Sequence, residues 1–199
     1  MRFLCLHGMG TNNQVFEMQT EIKSFFAPSD RFFAYFDASL VRTCQQALQD
    51  LDNYIKTEGP FDAVLAFSQG AALASTLLVQ KWRQNPQEQQ VSPIFKCAVF
   101  ISGGVPVDPD VLLHGELRTL SADVDGEVIP IPTAHIWGTN DTLFPGSSAT
   151  LSKLCNGTVR SEFVHEGGHE VPGETRDLAS TVHAIKRVVH KGAKAVVVH

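Results

Sequence analysis

The stretch "DAVLAFSQGAALAS" at 62–75 constrains the fold more than any other part of this chain. After Asp62 come five apolar or small residues, then Ser68, then a glycine two positions on, then a run rich in helix formers. A short, continuously apolar run reads as a strand covered on both faces. The sequence therefore predicts a strand, one sharp turn and a helix, with Ser68 on the turn. Two readings of that serine compete. It can cap the helix with its side chain, or it can be presented as a nucleophile at the carboxyl edge of a sheet, where open α/β folds bind ligands. The nucleophilic reading requires small residues two before and two after, because strand and helix come close there. Ala66 and Gly70 meet that requirement, with alanine in place of the usual first glycine.

Similar apolar runs recur at 2–6, 31–36, 96–101, 134–138 and 159–164, separated by helical patterns near 13–26, 43–57, 69–84, 147–155 and 174–190. Ordered strand–helix repeats predict an α/β fold: a mostly parallel sheet of about six strands with helices on both faces. The 199 residues suit one domain spanning 1–199. The stretch 83–93 reads as a polar surface loop. The stretch 105–132, rich in Pro, Asp and Gly, reads either as a lid or as a loop with an extra helical turn on the rim.

Composition removes several function classes. The chain is 43% hydrophobic and 19% charged, with net charge −5, and its cationic residues are scattered rather than clustered. That excludes the basic face that nucleic acid requires. No apolar run approaches the ~20 residues that span a bilayer. "MRFLCLHG" is too short in apolar residues for a secretory leader. Cys5, Cys44, Cys97 and Cys155 are far apart, and the expectation is buried, reduced thiols, no metal site and a cytosolic location.

A serine hydroxyl needs a base, and the base needs a third group that fixes its tautomer. In this kind of fold the chain order is Ser, then acid, then His. Of eight histidines, His169 in "FVHEGGHEVPGE" follows the last strand on a glycine-rich loop. His165, at the strand end, is better suited to prop that loop. Asp141 in "AHIWGTNDTLFP" falls just past the preceding strand, although an Asx-turn or helix cap would also explain it. Two N–H donors for a tetrahedral oxygen are expected from the amide of Gln69 and, on the "HGMG" loop after the first strand, from Met9, with Gly10 in reserve. His7 is expected to brace that loop. Phe144, Leu112 and Leu113 are candidates for an apolar acyl pocket, and Phe25, Phe26, Phe32, Phe33 and Phe36 for the core.

Taken together, "LCLHGMGTN", "GPFDAVLAFSQGAALA", "HIWGTNDTLFP" and "HEGGHEVP" make the chain resemble the α/β-hydrolase superfamily and, within it, the FSH-type serine hydrolases. The resemblance implies an α/β-hydrolase fold with a reduced lid and a triad on Ser68, Asp141 and His169. It also implies no cofactor and an acyl ester or thioester substrate. Many fungal members act in trans on the thioester that tethers a finished chain to the acyl carrier protein of a polyketide synthase, in secondary metabolism. Others are carboxylesterases. The short segment between 38 and 43, where relatives often carry a longer excursion, implies an open pocket. A non-catalytic acyl-binding protein is the reading from another class.

Overall fold

The computed structural model describes residues 1–10 and 33–195. Five strands form one parallel sheet in the order β1-β2-β3-β4-β5: β1 (Phe3–Leu6), β2 (Ala63–Phe67), β3 (Cys97–Ile101), β4 (Thr133–Gly138) and β5 (Ser161–His165). The helices are α1 (Val41–Glu58), α2 (Gln69–Gln84), α3 (Pro86–Val91), α4 (Pro109–Leu113), α5 (Ala122–Asp125), α6 (Ser147–Lys153) and α7 (Thr175–Ala195). This is the predicted α/β architecture, with five described strands rather than about six. The run expected as a strand at 31–36 begins outside the described residues. Its described part is tied to the first loop by the Gly10 amide, which donates to the Phe33 carbonyl at 3.0 Å, and to α2 through Tyr35 and Phe36. The helix expected at 13–26 also lies outside the described residues, as do Phe25, Phe26 and Phe32.

Each strand lies next to its predecessor, so every crossover steps the same way. Crossovers of parallel strands are right-handed, and equal steps therefore place their helices on one face. That face carries α1, α2, α4 and α6, whose Leu48, Leu77, Leu112 and Leu151 pack with Val64 and Phe100. The opposite face needs a helix from outside the ladder, and α7 supplies it, setting Ala184 and Val188 on Val99, Ile101 and Ile136. Along β3 the residues alternate between the two clusters with period two: Ala98 and Phe100 to one, Cys97, Val99 and Ile101 to the other. Both faces are dry, which is why the strand reads as uninterrupted apolar sequence. No described helix is long and apolar enough to cross a membrane.

Three expectations are corrected here. The stretch 83–93 is not simply a loop, because Pro86 starts α3 at its first position and Gln89 is buried, its side-chain carbonyl accepting from the Ile94 amide at 2.9 Å. Cys5 is exposed, whereas Cys44, Cys97 and Cys155 are buried and free. Cys5 alternates with Leu4 and Leu6 and so lies on the α7 side of the sheet, where α7 packs chiefly over β3, β4 and β5. Phe33 is 53% exposed and not a core residue.

The stretch 105–132 is anchored at several points. Val107 and Thr119 bridge antiparallel. Asp108 caps α4 by accepting from the Asp110 and Val111 amides. Its carboxylate also meets Arg83 at 3.0 Å and Arg118, while Arg118 reaches Asp125 at 2.8 Å. Asp108 is nearly buried, which alone would raise its pKa; the amides of α4 and the two guanidiniums outweigh that and hold it below the usual carboxylate range. Arg118 holds Asp125 low as well, against a smaller opposing effect of burial.

Two predictions follow from this packing. Carboxyls depressed in the folded state stabilise above their unfolded pKa, near 3.9, and lose that contribution as pH falls through their folded values. The melting temperature should therefore fall between about pH 5 and pH 2, and the fall should be shallower in Arg118→Gln, which removes one source of the depression; differential scanning fluorimetry across pH reads this directly. Separately, Gly192→Ala should destabilise by roughly 1–3 kcal/mol, although alanine is the better helix former. A Cβ at Gly192 would approach the Lys96 carbonyl oxygen to 2.7 Å and Cys97 Cβ to 3.0 Å, where α7 crosses the start of β3. Urea unfolding of the two proteins would measure the difference.

Candidate active site

The turn after β2 is forced by close packing. A Cβ at Gly70 would come within 2.6 Å of the His7 carbonyl oxygen and 2.8 Å of Leu6, so the first turn of α2 lies directly against the end of β1. To enter the helix that abruptly, Ser68 takes φ 51° and ψ −113°, a left-handed conformation that a non-glycine residue adopts only at a cost. The Ser68 amide donates to the Ile101 carbonyl at 3.0 Å, and the Ser68 carbonyl accepts from Gly104 at 3.0 Å. The side chain makes no capping bond to α2, so the serine is not a helix cap. Its hydroxyl instead lies 2.8 Å from His169 Nε2.

His169 Nδ1 is 2.7 Å from Asp141 Oδ2. A carboxylate only accepts, so Nδ1 carries the proton and Nε2 presents its lone pair to the Ser68 hydroxyl. The other oxygen of Asp141, Oδ1, accepts from the amides of Leu143 at 3.1 Å and Phe144 at 3.0 Å. One oxygen thus makes the Asx-turn expected from the sequence, while the other bonds the histidine. Burial alone would raise the Asp141 pKa, but the His169 hydrogen bond and the two amides together hold it below the usual carboxylate range. The side chains of Asp141 and His169 are only 8% and 10% exposed. The rings of Phe144 and Phe67 flank the imidazole at 5.0 Å and 5.2 Å between centroids.

The two loops that carry Asp141 and His169 are fastened to each other. Asn140 N–H donates to the Gly167 carbonyl at 3.1 Å, and its side-chain amide donates to the Glu166 carbonyl at 2.5 Å. Gly138 must lack a Cβ, since one would fall 2.0 Å from the Gly167 carbonyl oxygen. His165 is buried, and its Nδ1 accepts from the Gly167 amide at 3.1 Å, so it props the loop as its position at the strand end suggested. Ser102, at the end of β3, has φ 43° and donates from Oγ to the Glu170 carbonyl at 3.1 Å, one residue past His169. Ser102 drew no attention in the sequence, because its only signal is a serine next to "GG".

On the opposite side of Ser68, His7 Nδ1–H donates to the Gly8 carbonyl at 2.7 Å and the ring stacks on Tyr35 at 4.6 Å. The His7 amide donates to the Tyr35 hydroxyl at 3.0 Å. Burial pushes the Tyr35 phenol up to about 12, with the His7 hydrogen bond acting the other way. Gln69 does more than its main chain implied: its side-chain carbonyl accepts from the Tyr35 amide and its NH₂ donates to the Phe36 carbonyl, both at 2.8 Å. A single amide side chain pairs with the backbone of two consecutive residues and ties the 35–36 segment to the head of α2.

Ser68 and His169 open into a cavity of about 480 Å³. Met9, Phe36, Leu48, Leu73, Leu112 and Phe144 give it an apolar wall, with Thr76 deeper along α2. Phe144 and Leu112 are therefore where the sequence suggested. Leu113 is not: it is 62% exposed and does not line this cavity, whereas Leu112 is 2% exposed. Neighbours on a helix are about 100° apart, so one inward leucine turns the next one away. Phe36 is a cavity residue, not simply a core one.

A family profile described as serine hydrolase (FSH1) matches residues 23–181. "Esterase FPY3" of Fusarium mangiferae is 36% identical, with 96% of each chain covered. "Hydrolase phiM" of a fungal species is 26% identical over 88% of this chain and 89% of its own. In fold, the chain is similar to the crystal structure of the Paleococcus ferrophilus monoacylglycerol lipase, at TM-score 0.57 and 14% identity, with 94% of each chain covered. The α/β-hydrolase architecture, the strained serine after β2 and these similarities lead to one conclusion: the chain belongs to the serine hydrolase (FSH1) family and is an ester-hydrolysing enzyme.

Proposed function

We propose that Ser68 is the nucleophile, His169 the general base and acid, and Asp141 the group that orients and steadies the imidazole, in cleavage of an acyl ester or thioester. The observation that carries this reading is the unbroken relay from Asp141 through His169 to Ser68, ending at the wall of an apolar cavity. As Oγ attacks the acyl carbon, its proton passes to His169 Nε2. The carbonyl oxygen becomes an oxyanion, held by the amides of Gln69 and Met9. Gln69 opens α2, so the positive end of the helix dipole adds to the same site. Collapse expels the thiol or alcohol, which takes the proton from His169. Water then gives its proton to the same nitrogen, attacks the acyl-serine and releases the acid and the free hydroxyl. Asp141 stays ionised throughout, consistent with its depressed pKa.

The acyl group belongs in the apolar cavity, where each buried methylene contributes about 0.8 kcal/mol of binding. A polyketide acyl chain delivered as a thioester on a carrier protein fits that reading, and so does a simple small ester. The name of the Fusarium relative, an esterase, supports ester chemistry without choosing between them.

Ser68→Ala should lower kcat by about 10⁴-fold or more, and Asp141→Asn by about 10⁴-fold. Ser68→Ala should leave the melting temperature near that of the wild type, while Asp141→Asn should lower it modestly, because it removes a carboxylate the fold holds below its usual range. A fluorophosphonate probe should label the wild type on Ser68 and leave Ser68→Ala unlabelled; a folded wild-type protein that resists the probe would remove the nucleophile reading. To separate the two substrate classes, kcat/KM should be compared for acyl-N-acetylcysteamine thioesters and p-nitrophenyl esters of equal acyl length. The carrier-release reading expects the thioesters to match or exceed the esters as the acyl group grows, and a uniform advantage of the esters would count against it.

A further inference from the structure

The face of α2 that lines the cavity continues past the end of the cavity. Ala72, Thr76, Gln80 and Gln84 recur every four residues and form one stripe along the helix. Ala72 and Thr76 line the apolar cavity beside Ser68, while Gln80 and Gln84 line a second groove of about 480 Å³. At 1.5 Å per residue, Thr76 lies about 12 Å and Gln80 about 18 Å along α2 from the serine. Helix α1 shows the same division: Cys44 faces the first space, Gln49 and Asp52 the second. Leu48 and Leu112 line both. Both leucines are buried, and the Leu112 carbonyl is held by Gln45 Nε2–H at 2.7 Å.

We propose that the two spaces are one channel along α2, closed by Leu48 and Leu112, and that this pair sets the maximum length of acyl chain the enzyme accepts. The inference rests on the reading of Ser68 as the nucleophile. On the near side of the pair, each added methylene leaves water for an apolar wall. Past it, four glutamine amides and Asp52 line the groove beside Pro109 and Leu113, with Asp52 bound by Lys81 at 2.7 Å and Lys56 at 2.8 Å. An apolar tail there would desolvate those groups and return no hydrogen bond. A tail ending in a hydroxyl would return one. The distal groove is thus a subsite for the oxygenated end of an acyl chain, reached only when the leucine pair yields.

The test is the length profile of kcat/KM for p-nitrophenyl esters from acetyl to stearoyl, with plain and ω-hydroxy chains, in wild type, Leu112→Ala and Leu112→Phe. Alanine removes three side-chain carbons and phenylalanine adds three. The cut-off should therefore move outward by about three methylenes in the first variant and inward by about as many in the second. In Leu112→Ala the long-to-short ratio of kcat/KM should rise roughly tenfold, and by more for ω-hydroxy chains. If Leu112→Ala fails to show a cooperative melt, Leu48→Ala opens the same partition and is read in its place. A cut-off that stays put in the folded alanine variant overturns the partition, as does one unaffected by phenylalanine. Failure of the wild type to turn over even the acetyl ester would overturn the reading of Ser68, and this inference with it.

Discussion

The contact on which the rest of the structure depends is the approach of the first turn of α2 to the end of β1. There is no room for a side chain at Gly70, which lies against the main chain of Leu6 and His7. With that approach set, the chain has one residue in which to turn from strand to helix, and Ser68 absorbs the turn in a left-handed conformation. Such a conformation costs on the order of 1–3 kcal/mol and persists only where its neighbours leave no alternative. Here they leave none: the Ser68 amide is taken by Ile101, its carbonyl by Gly104, and Gly8 leaves just enough space for Phe67 behind it. The strain has a geometric return. It lifts the hydroxyl off the helix, where it would otherwise cap, and aims it along the rim of the sheet toward His169.

That rim is where the parallel arrangement matters. Every strand in the sheet points the same way, so the loops after β1, β2, β3, β4 and β5 all emerge at one edge. The residues that meet there come from positions more than a hundred apart in sequence, yet each is carried on a loop only a few residues past its strand. The loops after β4 and β5 are then locked to each other by Asn140 and the missing side chain of Gly138. Ser102 adds a further tie from β3 to the carbonyl after His169. The position of the imidazole is therefore a property of three strand ends together, and not of the flexibility of its own glycine-rich loop.

What could be read from the sequence divides along the same line. Features carried by local pattern were legible: the apolar runs of the strands, the span of α2, the small residues around Ser68, the placement of Asp141 and His169 just past their strands. Features fixed by which way a side chain faces across space were not. Leu112 and Leu113 look equivalent as a pair of leucines, and only the packing of α4 on α1 and α2 makes one a wall and the other a surface residue. Phe36 looks like its neighbouring phenylalanines but faces the cavity. The Gln69 side chain reaches residues more than thirty positions earlier, and no spacing rule foretells that. Cys5 sits in an apolar strand at the sheet's first edge and is exposed, away from β3, β4 and β5 where α7 packs most.

The stretch 105–132 shows how composition can mislead about mobility. Its Pro, Asp and Gly content suggested either a lid or a rim loop. In the fold, two of those aspartates are the anchors. Asp108 lies between Arg83, which comes from α2, and Arg118, which comes from its own segment, and Arg118 also holds Asp125. Charged pairs at a surface contribute little individually, but these converge on one nearly buried carboxylate that also caps α4, so the segment cannot shift without stranding that charge. The apolar side of the same segment supplies Val107, Leu112, Leu117 and Thr119 to the cavity. A wall held from outside by ions and faced inside with aliphatic side chains keeps its shape as the acyl group enters. Under the proposed partition, selection by length falls to the side chains of that wall that face inward, Leu112 first among them.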